Sequence, residues 1–355
     1  MSVDHRFANK KLMTPGPVSL PDSVKYSLGH SECHHRTKEF EEVLARVFQN
    51  LKSVFQTQQH CYMLSSTGTG AMEAALVHCL SPGDKLLTIN AGKFGERWGK
   101  IAKAYGFQCD DLDFPWGESL DLNKVEEALQ KGYKALAFQA CETSTGSLLP
   151  SKDLAALANQ YSALSICDGI TALGAVDLPM DDWGLDVVVG GSQKAFMLPT
   201  GMSFISLSQK AEAVQSSTPK YYWDLLAEKK SNLSGQTRWS TPNHFVLALD
   251  IVLDYVLNEV GLKKHLQSII DRAEFFRSQV KLELYPQNPS PSLSCLKTPA
   301  GVASGEWVKA IADQGYVIMG GQDQLKNKVL RIGHMGAMTK EDLQNTADLI
   351  NKQLS

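Results

Sequence analysis

Three groups in this chain could together carry out chemistry between an amine and a carbonyl. They are a lysine after a glycine turn, a carboxylate ending an apolar run, and two threonines in a small-residue loop. The lysine is Lys194, in Asp186-Val187-Val188-Val189-Gly190-Gly191-Ser192-Gln193-Lys194-Ala195-Phe196-Met197-Leu198. The valines read as a short buried strand, and the glycines let the backbone turn sharply or approach a bound group. A lysine held between that turn and four apolar residues is desolvated, which disfavours its ammonium form. A neutral lysine amine is a nucleophile that forms Schiff bases with carbonyls. The plainer alternative is a loop lysine whose stem covers apolar surface while its head reaches water.

The threonines lie in Ser65-Ser66-Thr67-Gly68-Thr69-Gly70, between the short strand 62–64 and the helix-forming run that begins at Ala71. Free N–H groups at a helix start, with the helix dipole behind them, make an anion site. The spacing is not that of a nucleoside-triphosphate loop, so a simpler phosphate is the better fit; a strand-to-helix turn with no ligand is the alternative. Asp168 ends the apolar strand 164–167, where a carboxylate is costly unless paired. A cationic ring nitrogen would pair with it, and a capping aspartate is the plainer reading. Phe94, between Gly92 and Gly95, could stack on a planar ligand or simply fill the core. Glu142-Thr143-Ser144-Thr145-Gly146 is a further polar strand end.

What must position these groups is a regular alternation. Strands at 62–64, 85–89, 108–112, 135–139, 164–167 and 187–189 alternate with helices at 39–54, 71–76, 98–105 and 122–130. Such alternation implies a parallel sheet with helices on both faces, and ligands there sit at the carboxyl ends of strands. A strand follows at 202–207. Residues 219–240 read as a long, partly exposed loop, and a helix over 245–258 crosses to a second unit. That unit has helices at 262–280, 305–314 and 340–352, strands near 294–298 and 329–332, and a Pro/Ser-rich break at 286–292, with Cys295 read as belonging to the same Pro/Ser-rich stretch. The expected division is an arm over 1–20, a large domain over 21–258 and a small domain over 259–355.

Composition narrows the classes further. With 355 residues and 43% hydrophobic content, the chain can bury a large core. A net charge of −3 gives no electrostatic footprint for nucleic acid or membrane surfaces. No apolar run reaches membrane-spanning length, and residues 1–11 carry no apolar signal core, so the expectation is a cytoplasmic protein. The seven cysteines are scattered with no Cys-x-x-Cys pair, which points to reduced thiols rather than disulfides or zinc. The adjacent His34 and His35 do not face one point, and no metal is assigned.

Taken together, Thr67–Thr69, Asp168 and Gly191-Ser192-Gln193-Lys194 make the sequence resemble the class V aminotransferases, pyridoxal-phosphate (PLP) enzymes of fold type I. It is most similar to the serine/alanine–glyoxylate (or pyruvate) branch, which includes proteins called the small, tritium-exchange subunit of soluble hydrogenase. The likeness covers nearly the whole chain. It runs from Thr14-Pro15-Gly16-Pro17 through Ser66-Thr67-Gly68-Thr69-Gly70-Ala71-Met72-Glu73-Ala74 and Glu142-Thr143-Ser144-Thr145-Gly146. It ends at Ile318-Met319-Gly320-Gly321 and Val329-Leu330-Arg331-Ile332-Gly333. The resemblance implies an α/β fold: a mainly parallel seven-stranded sheet between helices, plus a smaller C-terminal α+β domain.

It also implies roles. Lys194 would hold PLP as an internal aldimine and serve as general base. Asp168 would keep the ring nitrogen protonated. Thr67, Gly68, Thr69 and Gln193 would hold the phosphate. Phe94 would stack on the ring where relatives often have tryptophan, Ile170 would cover the opposite face, and Thr143 would bond near the phenolic oxygen. Arg331 would fork onto the substrate carboxylate, and Gly16 would line the substrate end. Thr241 and Asn243, from a loop in which the branch often has a tyrosine absent here, would complete the phosphate site of a second subunit, making a homodimer. The substrates would be an amino acid and a 2-oxo acid. Two other activities remain open from the residues: a lyase of cysteine-desulfurase type using Cys295, and a non-catalytic PLP-binding subunit.

Overall fold

The computed structural model describes residues 10–354; residues 1–9, which begin the expected arm, lie outside the described residues. Seven strands form the central sheet, in the spatial order Cys61–Leu64, Ser203–Leu207, Val187–Gly191, Leu164–Asp168, Ala135–Gln139, Lys85–Asn90 and Gln108–Asp113. The last five are mutually parallel, and only Ser203–Leu207 runs against its neighbours. The strand residues explain this. Val187–Gly191, Leu164–Asp168 and Ala135–Gln139 are buried along their full length, as strands covered on both faces must be. Their side chains alternate between two cores: Leu87, Phe138 and Val188 enter one, while Leu86, Ala137 and Val187 enter the other. The outermost strand, Gln108–Asp113, carries three aspartates and is half-exposed, which discourages pairing with another chain.

Helix Lys38–Phe55 shows how pattern becomes packing. Phe40, Leu44, Val47, Leu51, Val54 and Phe55 form its buried stripe, and the Thr37 side chain accepts the Phe40 N–H at its start. Toward the C-terminus an antiparallel sheet of Leu293–Lys297, Val329–Gly333 and Met319–Gly320 packs with helices Leu262–Gln279, Ser304–Asp313 and Lys340–Lys352 around a core of its own. The N-terminal segment is stitched to this part. Lys11–Leu12 pairs with Tyr316–Val317, and the Gly333 N–H donates to the Met13 carbonyl at 2.8 Å. That seam carries Pro15 and Gly16 across the carboxyl end of the large sheet.

Several expectations need correction. Residues 219–240 are not one loop, because helix Leu225–Asn232 interrupts them, with the Asp224 side chain accepting the Ala227 N–H. Helices Asp22–His30 and Ser151–Gln160 were not legible as periodic runs. The helix expected at 245–258 begins at Asn243 and passes into a π-helical turn at Tyr255–Val260 before Gly261. Cys295 does not lie in the Pro/Ser-rich break but on strand Leu293–Lys297, where it is fully buried.

Candidate active site

Strand Val187–Gly191 ends in a turn fixed by Ser192, whose hydroxyl donates to the Pro199 carbonyl at 2.6 Å and accepts the Met202 N–H at 3.2 Å. This turn delivers Lys194 into a dry site. The side chain is 7% exposed, and Nζ donates to the Pro15 carbonyl at 2.6 Å. Burial pushes its pKa down to about 8; Arg331 and Arg97 push the same way, while Cys141 and Asp168 oppose them.

Gly16 is where the arm meets the lysine. A Cβ there would overlap Nζ and stand 2.6 Å from Cδ and Cε, and φ is +134°, so only glycine fits. Gly16→Ala is expected to strain the arm while the sheet and helices persist, because Gly16 belongs to none of them. Any reaction that uses the Lys194 amine should slow roughly 100-fold as Nζ is displaced. Turnover measured beside a circular-dichroism melt checks this, and unchanged turnover would refute the close approach.

One strand away, Asp168 ends Leu164–Asp168, in register with Val189. Its Oδ1 accepts the Ile170 N–H at 2.8 Å, so the capping role is present. That single bond does not offset burial, which pushes the carboxyl up to about 6. Ile170 then reaches across the site. A Cβ on Gly68 would strike its Cδ1, and a Cβ on Gly191 would stand 3.2 Å from its Cγ2. Gly68 of the Thr67–Thr69 turn, Ile170 just after Asp168 and Gly191 just before Lys194 therefore meet at one place.

The turn itself is open. Thr67 precedes helix Gly68–Cys79 without capping it, and the residue is exposed. The first N–H groups of this helix are therefore not taken by the Thr67 side chain. The Gln193 side chain lies over Gly191, and its Oε1 is buried with no hydrogen-bond partner. Reversing that amide presents a donor instead. An open helix start, two threonine hydroxyls and an orphaned amide suit a phosphate, and a buried carboxylate beside a buried amine suits the ring and aldehyde of PLP. The residues present fit the cofactor.

The opposite wall comes from the C-terminal sheet. Arg331, 3% exposed, donates through Nε to the Gly320 carbonyl at 3.0 Å and through Nη1 to the Thr143 carbonyl at 3.1 Å. Nη2 makes no hydrogen bond among the described residues. The Thr143 hydroxyl pairs with that of Thr171 at 2.7 Å. Phe94 caps helix Gly95–Ala104, half-buried, with the Arg97 guanidinium 4.9 Å from its ring centre. Thr241 and Asn243 have other partners within the chain. The Thr241 hydroxyl meets that of Thr237 at 2.5 Å, and Asn243 donates to the Cys33 carbonyl.

Reading the sequence missed two residues here. Glu142 is completely buried and accepts hydrogen bonds from the Phe94 and Ser144 N–H groups. Its signal was available, because it follows an apolar strand just as Asp168 does. Arg97 had no such signal. It looks like any surface arginine of an amphipathic helix, yet it touches Phe94 and pulls the Asp168 carboxyl downward.

With this geometry in view, the family model described as aminotransferase class-V matches residues 23–345. The chain is 35% identical over 353 residues to the soluble hydrogenase 42 kDa subunit of Anabaena cylindrica, covering 94% of this chain and 90% of that protein. Among solved structures it is similar to an aspartate aminotransferase of subgroup IV from Thermus thermophilus, with TM-score 0.90, 32% identity and 97% and 99% of the two chains covered. It also matches an alanine–glyoxylate aminotransferase from Nostoc sp., with TM-score 0.92, 26% identity and both chains covered completely.

Proposed function

This chain belongs to the class V aminotransferases, enzymes dependent on pyridoxal phosphate, and from that premise we propose that it moves the amino group of alanine or serine to glyoxylate or pyruvate. The observation that carries this reading is the conjunction of a dry Lys194 amine, a dry Asp168 carboxylate on the neighbouring strand and Arg331 reaching in from the C-terminal sheet. Bound there, PLP supplies an electron sink for the pair left on the substrate's α-carbon. The Lys194 amine would hold the cofactor aldehyde and would serve as the base for the α-proton. Asp168 would keep a proton on the ring nitrogen. Thr67, Gly68, Thr69 and Gln193 would bind the phosphate, and Phe94, Ile170 and Thr143 would fix the ring. Gly16 lines the substrate end.

Arg331 would bind the carboxylate common to every substrate. Arg331→Ala is expected to raise KM for amino and oxo acids by roughly 100-fold while the cofactor stays bound. Arg331→Lys should recover only part of this, since lysine keeps the charge but loses the planar fork. Loss of cofactor as the main effect would move Arg331 to the phosphate instead.

The exposed Thr67 and the exposed Tyr221 and Tyr222 nearby support a homodimer in which loop 240–243 of a second copy completes the phosphate site. Residues 21–258 would form the cofactor-binding domain of a cytoplasmic enzyme and 259–355 the smaller domain, which has a core of its own. A desulfurase reading finds no support in Cys295, which is buried, pushed up to about 12 by desolvation and paired across the sheet with Arg331. A non-catalytic subunit would have no use for a depressed lysine.

One observation favours a different donor, aspartate. The Arg97 guanidinium makes neither a hydrogen bond nor an ion pair among the described residues, and it sits over Phe94 at the site. A free guanidinium there could take a second carboxylate. Initial rates with alanine, serine and aspartate against glyoxylate and pyruvate decide between the donors. Absence of transfer from all three would overturn the proposal.

A further inference from the structure

Glu142 is the most heavily hydrogen-bonded side chain in the site. Oε2 accepts the Phe94 N–H at 3.1 Å, the Gly95 N–H at 3.0 Å and Gln139 Nε2 at 3.0 Å. Oε1 accepts the Ser144 N–H at 3.0 Å and the Ser144 hydroxyl at 2.5 Å. The Ser144 oxygen in turn accepts the Lys93 N–H at 3.1 Å. Space is cleared for this carboxylate, because a Cβ on Gly92 would overlap its Cγ and Cδ. Three of these donors are backbone N–H groups, which cannot turn away or reverse. They belong to two separate turns. Residues 92–95 hold Phe94, and residues 142–145 present the Thr143 carbonyl that Arg331 leans on.

We infer that Glu142 is the positioning residue of this site: one buried carboxylate that locks the Phe94 turn to the Thr143 turn and so sets the Arg331 fork. Both its oxygens are taken up by protein donors, so it acts through Phe94 and Thr143. The ionised form suits this setting best, since it accepts from donors on both oxygens. Burial pushes its pKa up, and the Ser144, Gly95 and Phe94 donors pull it back. Glutamine has the same shape but cannot replace it. Either orientation of the amide aims an N–H at a fixed backbone N–H, Ser144 on one side or Gly95 on the other. The inference rests on Arg331 binding the substrate carboxylate.

The test is Glu142→Gln in the full-length holoenzyme, read in three ways: KM against kcat, the dissociation constant of 2-methylalanine, and the melting temperature of the apo form. 2-Methylalanine has no α-proton to lose, so its binding is followed without turnover. KM and that dissociation constant are both expected to rise about tenfold or more, with kcat changed much less. Ser144→Ala removes one donor to Glu142 and the acceptor of the Lys93 N–H without placing an N–H against another, and should shift KM the same way by a smaller factor. If Glu142→Gln fails to fold, Ser144→Ala carries the test alone. A lowered melting temperature with unchanged KM and unchanged binding would reduce Glu142 to a structural residue and overturn the inference. Arg331→Ala separates this from the underlying reading. A raised KM there with none in Glu142→Gln sinks only the inference, and an unchanged KM in Arg331→Ala sinks the reading beneath it.

Discussion

Replacing Lys194 by alanine is expected to abolish the visible absorbance of the holoenzyme and to reduce transamination about 10⁴-fold, with the sheet and helices intact. The size follows from two functions lost together: the tether for the aldehyde, and the base that carries the α-proton, worth up to about 10⁴ alone. The fold survives because Lys194 follows the last sheet residue, Gly191, and its side chain hydrogen-bonds to the arm. Added methylamine can enter the space vacated by the side chain and should restore part of the rate. A variant that keeps full activity, or keeps the visible band, would remove the lysine from the chemistry.

The same amine gives the apo-protein a pH signature whose sign can be worked out. In the unfolded chain a lysine titrates near 10.4, while the buried one is pushed down to about 8. Below pH 8 both forms hold the proton, and the folded form bears an ammonium ion in a dry site. Between about 8 and 10.4 the unfolded chain still holds the proton that the folded chain has released. Stability contributed by this residue therefore rises with pH across that window. Uptake of the aldehyde, which needs the neutral amine, should rise through the same pH near 8.

Much of this site was legible because the costly residues sit where cost is conspicuous. Asp168 and Lys194 each interrupt an apolar run, and a charge after a buried strand demands a partner. The alternation of strands and helices then placed both at the carboxyl ends of neighbouring parallel strands, as the pairing shows. What escaped was carried by tertiary contact. Helix Leu225–Asn232 buries only Leu225, Glu228 and Asn232, too few apolar residues to show a period. The N-terminal arm owes its path to pairing with Tyr316–Val317 some 300 residues away, which no local pattern encodes. Glu142 was readable as a buried carboxylate, but its partners come from residues 94–95, 139 and 144, and only folding brings these together.

Asp168→Asn should separate catalysis from stability. Asparagine keeps an oxygen for the Ile170 N–H, so the cap at 2.8 Å survives. It cannot hold a positive charge on the cofactor's ring nitrogen, and α-proton exchange is expected to fall roughly 10²–10³-fold. The apo-protein should respond in the opposite direction. The wild-type carboxyl is pushed up to about 6 by burial, against about 3.9 in an unfolded chain. Below pH 4 both states are protonated, and the preference of the folded state for the neutral acid is fully present. As pH rises from 4 to 6 the unfolded chain loses its proton first and stability declines. By pH 7 the folded protein holds a poorly paired carboxylate at a cost of about 3 kcal/mol. Asparagine has no such transition. The apo variant should therefore melt about 4 °C above apo wild type at pH 7, and the two should converge below pH 4. Cofactor should reverse the order, because the cationic ring nitrogen gives Asp168 a partner that asparagine cannot match. Melting curves of both proteins, with and without PLP at pH 4 and pH 7, test all four corners. A variant that melts lower at pH 7 without cofactor and exchanges the α-proton at the wild-type rate would leave Asp168 as nothing more than the cap of the turn at Ile170.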